Sequence, residues 1–120
     1  MKSYTDLDQS KRLAEILPLE SADMCYKCIG EDPYDVCLRP YSEWREEYKG
    51  LLVAKEVDAI PCWSLAALLG VLPKGYSLGR RINGKYYVCM TCVKHDVIEC
   101  DNPVDACYEM ILKLNKLKIL

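Results

Sequence analysis

Two Cys-X-X-Cys segments offer the plainest chemistry in this 120-residue chain, Cys25-Tyr-Lys-Cys28 and Cys89-Met-Thr-Cys92. Paired in space, Cys25, Cys28, Cys89 and Cys92 would supply the four thiolates of a tetrahedral zinc site. Both segments, however, fall in runs that read as strands, where residues i and i+3 point to opposite faces. A pair split between faces cannot chelate one ion, so zinc would require both segments to be turns. A thioredoxin-like use needs the motif at a helix N-terminus, where the dipole lowers the thiol pKa, and neither site offers that. Free cysteine otherwise behaves as a small hydrophobe. Cys62 and Cys107 sit in apolar segments expected to be helical and fit that role. The expectation is buried thiols, with no metal and no cofactor.

General acid–base chemistry has few candidates. The only histidine, His95, lies in Val93-Lys94-His95-Asp96, a polar segment read as a solvated turn. A Cys92–His95 dyad would have to close across that turn. The Glu31-Asp32 and Glu43/Glu46/Glu47 carboxylates fall in a turn and on a charged helix face, where solvation is the default. No phosphate loop, nucleophile elbow, HExxH or dinucleotide fingerprint occurs. The chain is expected not to be an enzyme.

The net charge of −2 is unevenly spread, −5 over residues 1–60 and +3 over residues 61–120. Between Lys74 and Lys94 stand five basic residues and no acidic one. Asn83-Gly84 is a strong hairpin signal within that stretch, predicting a type I′ turn between strands 76–82 and 85–92. A two-residue loop sets Arg81 opposite Tyr86 and Arg80 opposite Tyr87. Arg80, Arg81, Lys85, Tyr86 and Tyr87 would then suit a nucleic acid through charge and stacking. The same pairs also stabilise a hairpin with no ligand present.

The elements that must hold these groups follow from caps and periodicity. Thr5 with acidic Asp8 predicts a helix to about Leu17, stopped by Pro18. Runs 24–29 and 34–39 around Gly30-Glu31-Asp32-Pro33 predict a hairpin. Ser42 caps a helix 43–49 closed by Gly50, and 51–57 is ambiguous between strand and helix. Pro61 or Ser64 opens a helix to about Leu69, apolar nearly all round and so expected to be buried on most sides. A third strand, 97–100, continues the meander. Asn102, Pro103 and Asp105 open a last helix with Val104, Cys107, Ile111 and Leu114 inward. The predicted fold is a single α+β domain over 1–120, of antiparallel hairpins covered by helices on one face.

Size and composition agree with that picture. A chain of 13.7 kDa with 51% apolar and 28% charged residues is of ordinary globular type, without room for two independent cores. The longest uncharged stretch, Ala59 to Pro73, is 15 residues, short of the ~20 that a bilayer needs. The first eight residues carry three charges and no apolar h-region, so they do not read as a secretory signal. Eight cysteines in a chain able to build a core are then expected to be reduced thiols in a cytoplasm.

Ile60-Pro-Cys-Trp-Ser-Leu-Ala-Ala-Leu-Leu-Gly-Val-Leu-Pro73 and Asn102-Pro-Val-Asp-Ala-Cys-Tyr-Glu-Met-Ile-Leu-Lys-Leu114, with the strands between them, resemble uncharacterised small proteins of prophages and mobile elements of gut bacteria. The resemblance covers residues 60–120 and implies a bacterial cytoplasm. It carries no activity and no functional residue. The expected function is a non-enzymatic module that binds another protein or a second copy of itself. Trp63, Leu65, Leu68, Leu69 and Leu72, with the tail Leu117, Ile119 and Leu120, are its expected contacts. A nucleic-acid-binding module built on the 76–92 hairpin, with or without zinc, is the alternative.

Overall fold

Asp6, not Thr5, opens the first helix of the computed structural model. The model describes residues 2–90 and 93–120, with the backbone alone described for 93–96. The Asp6 carboxylate accepts from the Gln9 amide, and the Gln9 side chain accepts from the Asp6 amide, a reciprocal capping box. Helix α1 (Leu7–Ala14) is therefore one residue out of phase with the expected cap and ends earlier than Leu17. Thr5 is instead buried. Its hydroxyl pairs with Ser10 at 2.8 Å and accepts from the Trp63 amide at 3.2 Å.

After a 3-10 turn (Leu19–Ser21), strands β1 (Met24–Ile29) and β2 (Asp35–Cys37) form the first hairpin. Helix α2 (Tyr41–Glu47) starts after Pro40 without a side-chain cap, so Ser42 lies inside it rather than at its head. Gly50 does not close that helix either. It falls within a second short helix, α3 (Lys49–Val53), which takes up the first three residues of the ambiguous segment. Strand β3 (Val57–Cys62) then pairs antiparallel with β1, giving a sheet ordered β2-β1-β3. Cys62 is thus a strand residue, and Pro61 does not start a helix.

Ser64 caps helix α4 (Leu65–Val71), accepting from the Ala67 amide. Strands β4 (Tyr76–Arg80), β5 (Tyr86–Met90) and β6 (Val93–Cys100) form the expected meander, ordered β4-β5-β6. Asn102 caps helix α5 (Pro103–Lys116) with Pro103 in its first turn, and its buried residues include Val104, Cys107, Ile111 and Leu114 as expected. The architecture is α+β, with two antiparallel three-stranded sheets and five α-helices.

The apolar residues divide among three clusters. The largest lies between the second sheet, α1, α4 and α5, and includes Leu13, Trp63, Leu68, Val88, Val104, Met110 and Ile111. Two smaller clusters sit on opposite faces of the first sheet. Met24, Tyr26 and Cys62 pack with Tyr4 and Leu7 on one side, and Cys25 and Val57 pack with Trp44 on the other. That sheet is covered on both faces, where helices on a single face were expected. The Cα radius of gyration is 15.6 Å, against roughly 13–14 Å for a sphere-like chain of this length. Two sheets that do not share strands make the molecule long, 49 Å by 29 Å by 19 Å.

Candidate functional site

The hairpin around Asn83-Gly84 differs from its expected register by one residue. The Arg81 amide donates to the Lys85 carbonyl (2.7 Å) and the Gly84 amide to the Arg81 carbonyl (2.9 Å), with Gly84 at φ +88°. Three residues, Ile82-Asn83-Gly84, therefore form the loop, a four-residue turn ending in a left-handed glycine bulge. Arg80 lies opposite Tyr86 and Gly79 opposite Tyr87, in place of the expected Arg81–Tyr86 and Arg80–Tyr87 pairs. A one-residue slip moves side chains to the other face. Leu78, Tyr86 and Val88 face the main core, while Arg81, Tyr87 and Glu99 share the outer face.

On that outer face the Arg81 guanidinium stands 4.8 Å from the Tyr87 ring centre and 2.7 Å from a Glu99 carboxylate oxygen. Arg80 approaches the Tyr86 ring at 5.9 Å. Arg81 thus has its charge matched within the sheet, and Glu99 puts a carboxylate beside the surface that a phosphate would have to approach. Ile82, by contrast, stands wholly in solvent at the tip.

The thiols are dispersed. Cys25 and Cys28 occupy positions of opposite parity in β1 and so face opposite sides of the sheet. Cys89 lies in β5 of the other sheet, and Cys92 lies outside the described residues. Among the described residues no group of three or more His, Cys, Asp or Glu side chains is placed to hold a metal. Burial raises the pKa of Cys62, and pushes that of Cys107 up to about 11. These are core thiols. His95 falls within β6 rather than in a turn, and its side chain is outside the described set.

One row of polar groups crosses the first sheet. Cys28 lies opposite Asp58, and the Tyr34 hydroxyl donates to the Asp58 carboxylate. Lys11 of α1 stands over the Tyr34 ring at 5.9 Å. The hydrogen bond to Asp58, with burial, pushes the Tyr34 phenol up to about 12. The Cys28 thiol donates to the Asp32 carbonyl at 2.6 Å. The row fastens the loop 30–34 to the sheet.

Of the residues expected to meet a partner, Trp63 and Leu68 are fully buried and belong to the core. The Trp63 indole donates to Ser21 at 2.9 Å. Leu65 and Leu72 are half-buried against the same cluster, and Leu69 is exposed. Helix α4 therefore buries one face only, because Ala66, Leu69 and Gly70 turn outward. Leu117, Ile119 and Leu120 are exposed beyond α5.

Sequence reasoning missed the open edge of β4. Because Arg81 and Lys85 form a hydrogen-bonded pair, the alternation of antiparallel bonds makes Gly79–Tyr87 another such pair. It also aims the amide and carbonyl of Leu78 and Arg80 away from β5. The other sheet edges are guarded: β2 is three residues long, β3 contains Pro61 and Asp58, and β6 contains Glu99. Strand β4, Tyr-Ser-Leu-Gly-Arg, has no proline and one charge, at its end. No described helix is long and apolar enough to cross a membrane. No family model, curated protein or solved structure matches the chain.

Proposed function

We propose that the protein is a non-enzymatic binding module that receives an extended segment of a partner protein as a fourth strand on β4. The open edge of β4 carries this reading, because an outward row of amide and carbonyl groups is what strand addition uses for affinity. Ile82, wholly exposed at the end of that edge, supplies an apolar anchor of the kind found at the centre of interfaces. A second copy of the chain is the simplest partner, through β4-to-β4 pairing. A bacterial cytoplasm and a prophage or mobile-element context belong to the same reading.

The pairing of Arg81 with Glu99 argues against the nucleic-acid alternative, since it removes one of the two arginines on which that reading rests. The test is a peptide selected from a random extended-peptide library, followed by amide spectra of the labelled protein. Binding at β4 should slow hydrogen exchange at Leu78 and Arg80, and Arg80→Pro should abolish it by removing an edge donor while sparing the β5 bonds. Sedimentation of the free protein reports self-pairing. A peptide that binds Arg80→Pro as well as wild type sinks the proposal. Steeply salt-dependent oligonucleotide binding, flattened in Arg80→Ala/Arg81→Ala, would favour the alternative.

A further inference from the structure

Cys25 and Cys37 stand directly opposite one another in the antiparallel pair β1–β2. Directly opposed residues in such a pair have Cα atoms about 4.5 or 5.5 Å apart, and both spacings lie within the range that a disulfide spans. The two residues lie on one face of the sheet, packed with Trp44, Tyr41 and Tyr48. Cys25 is fully buried and Cys37 is partly exposed. The other close thiols differ: Cys62 lies across from Met24 on the opposite face from Cys25, and Cys28 is bonded to the Asp32 carbonyl. Strand β2 is a three-residue edge with one paired neighbour, so few contacts oppose its adjustment to the bond.

We propose that Cys25 and Cys37 form a thiol–disulfide exchange site that a small-molecule disulfide, such as oxidised glutathione, converts to a covalent link between β1 and β2. Cys37, the more accessible of the two, reacts first. Its thiolate attacks one sulfur of the disulfide, forming a mixed disulfide and releasing one glutathione thiolate, which takes up the proton Cys37 gave up. Cys25 then loses its proton and attacks the Cys37 sulfur, and the second glutathione leaves as a thiol. Two electrons pass from the two protein sulfurs to the oxidant, and two molecules of reduced glutathione result. Burial first, and then the Cys37 charge and its hydrogen bond, push the Cys25 thiol up to about 12. Capping Cys37 removes the last two causes and leaves burial, and Cys25, directly opposite, is the resolving thiol. The product fastens the edge strand and the 30–34 loop to the centre of the sheet. This site does not depend on the binding reading of β4.

The experiment exposes the folded protein to glutathione buffers of rising oxidised share, quenches with acid and alkylating agent, and maps tryptic peptides. The expected product joins peptide 13–27 to peptide 28–45 through Cys37, and exceeds the Cys37–glutathione adduct by roughly tenfold or more, as a high effective concentration requires. A thiol reductant reverses it. Cys28→Ser keeps the link and Cys37→Ser abolishes it. If Cys37→Ser does not fold, fragmentation of the wild-type linked peptides decides between Cys28 and Cys37. A stable glutathione adduct on Cys37, a link through Cys28, or no reaction where a dithiol control peptide is oxidised would each overturn the proposal.

Discussion

The ring of Tyr87 occupies the space over Gly79 where a β-carbon at residue 79 would stand. The two residues are cross-strand partners in β4 and β5, and the same ring carries Arg81 on its face. The aromatic covers what the glycine lacks, which is a recognised way of pinning a strand register. Gly79→Ala must displace the ring, so it should cost about 1–3 kcal/mol in urea unfolding, the usual range for overpacking. Combined with Tyr87→Ala, most of that extra cost should disappear, because the two changes share one contact. A Gly79→Ala protein as stable as wild type would refute the role given to the ring.

Neighbouring leucines of α4 should behave oppositely. Leu68 is fully buried in the main cluster while Leu69 is 40% exposed. Leu68→Asp places an unpaired carboxylate in the core, costs several kcal/mol and should leave the chain unfolded by circular dichroism. Leu69→Asp should keep the fold within about 0.5 kcal/mol, as surface changes usually do.

Lys55 and Lys118 hold the left-handed conformation, both at φ 60°. Each ends a helix by the same device: the Lys55 and Glu56 amides bond back to Leu52 and Leu51, and the Lys118 and Ile119 amides to Asn115 and Leu114. Glycine is the residue that adopts this position without strain. Lys55→Gly and Lys118→Gly should each stabilise by about 0.5 kcal/mol, the relief of strain being partly offset by a more flexible unfolded chain. Thermal melts should rise by about 2 °C for each. Glu109→Gly, exposed in the middle of α5, should lower the melting temperature instead.

Asp105 joins the two ends of the chain, accepting from Lys2 and Gln9, each at 2.8 Å, and from Asn102 at 2.7 Å. Burial acts to raise its pKa, but those hydrogen bonds and the Lys2 charge outweigh it and hold the carboxyl below its ordinary value of 3.8. A carboxyl with a depressed folded pKa contributes stability above its unfolded pKa and loses it as pH falls through the folded one. Stability should therefore drop as pH falls below about 4, and Asp105→Asn should flatten that drop while costing about 1 kcal/mol at neutral pH. An unchanged acid limb in the variant would show that other groups control it.

Local chemistry was legible along the chain wherever it involved a few adjacent residues. The Asn102–Pro103–Asp105 cap, the inward stripe of α5, the β4-β5-β6 meander and the α+β class all follow from capping and periodicity. Register was not, because it depends on loop geometry that differs by one residue between alternatives. A two-residue loop at Asn83-Gly84 puts Arg81 beside Tyr86; the observed three-residue loop puts it beside Glu99, and a surface read as basic becomes a matched pair. The first hairpin repeats the lesson. A four-residue loop sets Cys28 opposite Asp35, whereas the observed register sets Lys27 there and brings Cys25 onto Cys37. The burial of Trp63, the pairing of β1 with β3 and the exposure of the β4 edge join residues that lie far apart in the chain or turn on which strand lacks a neighbour. Such relations come from packing two sheets at once, and only the folded chain decides them.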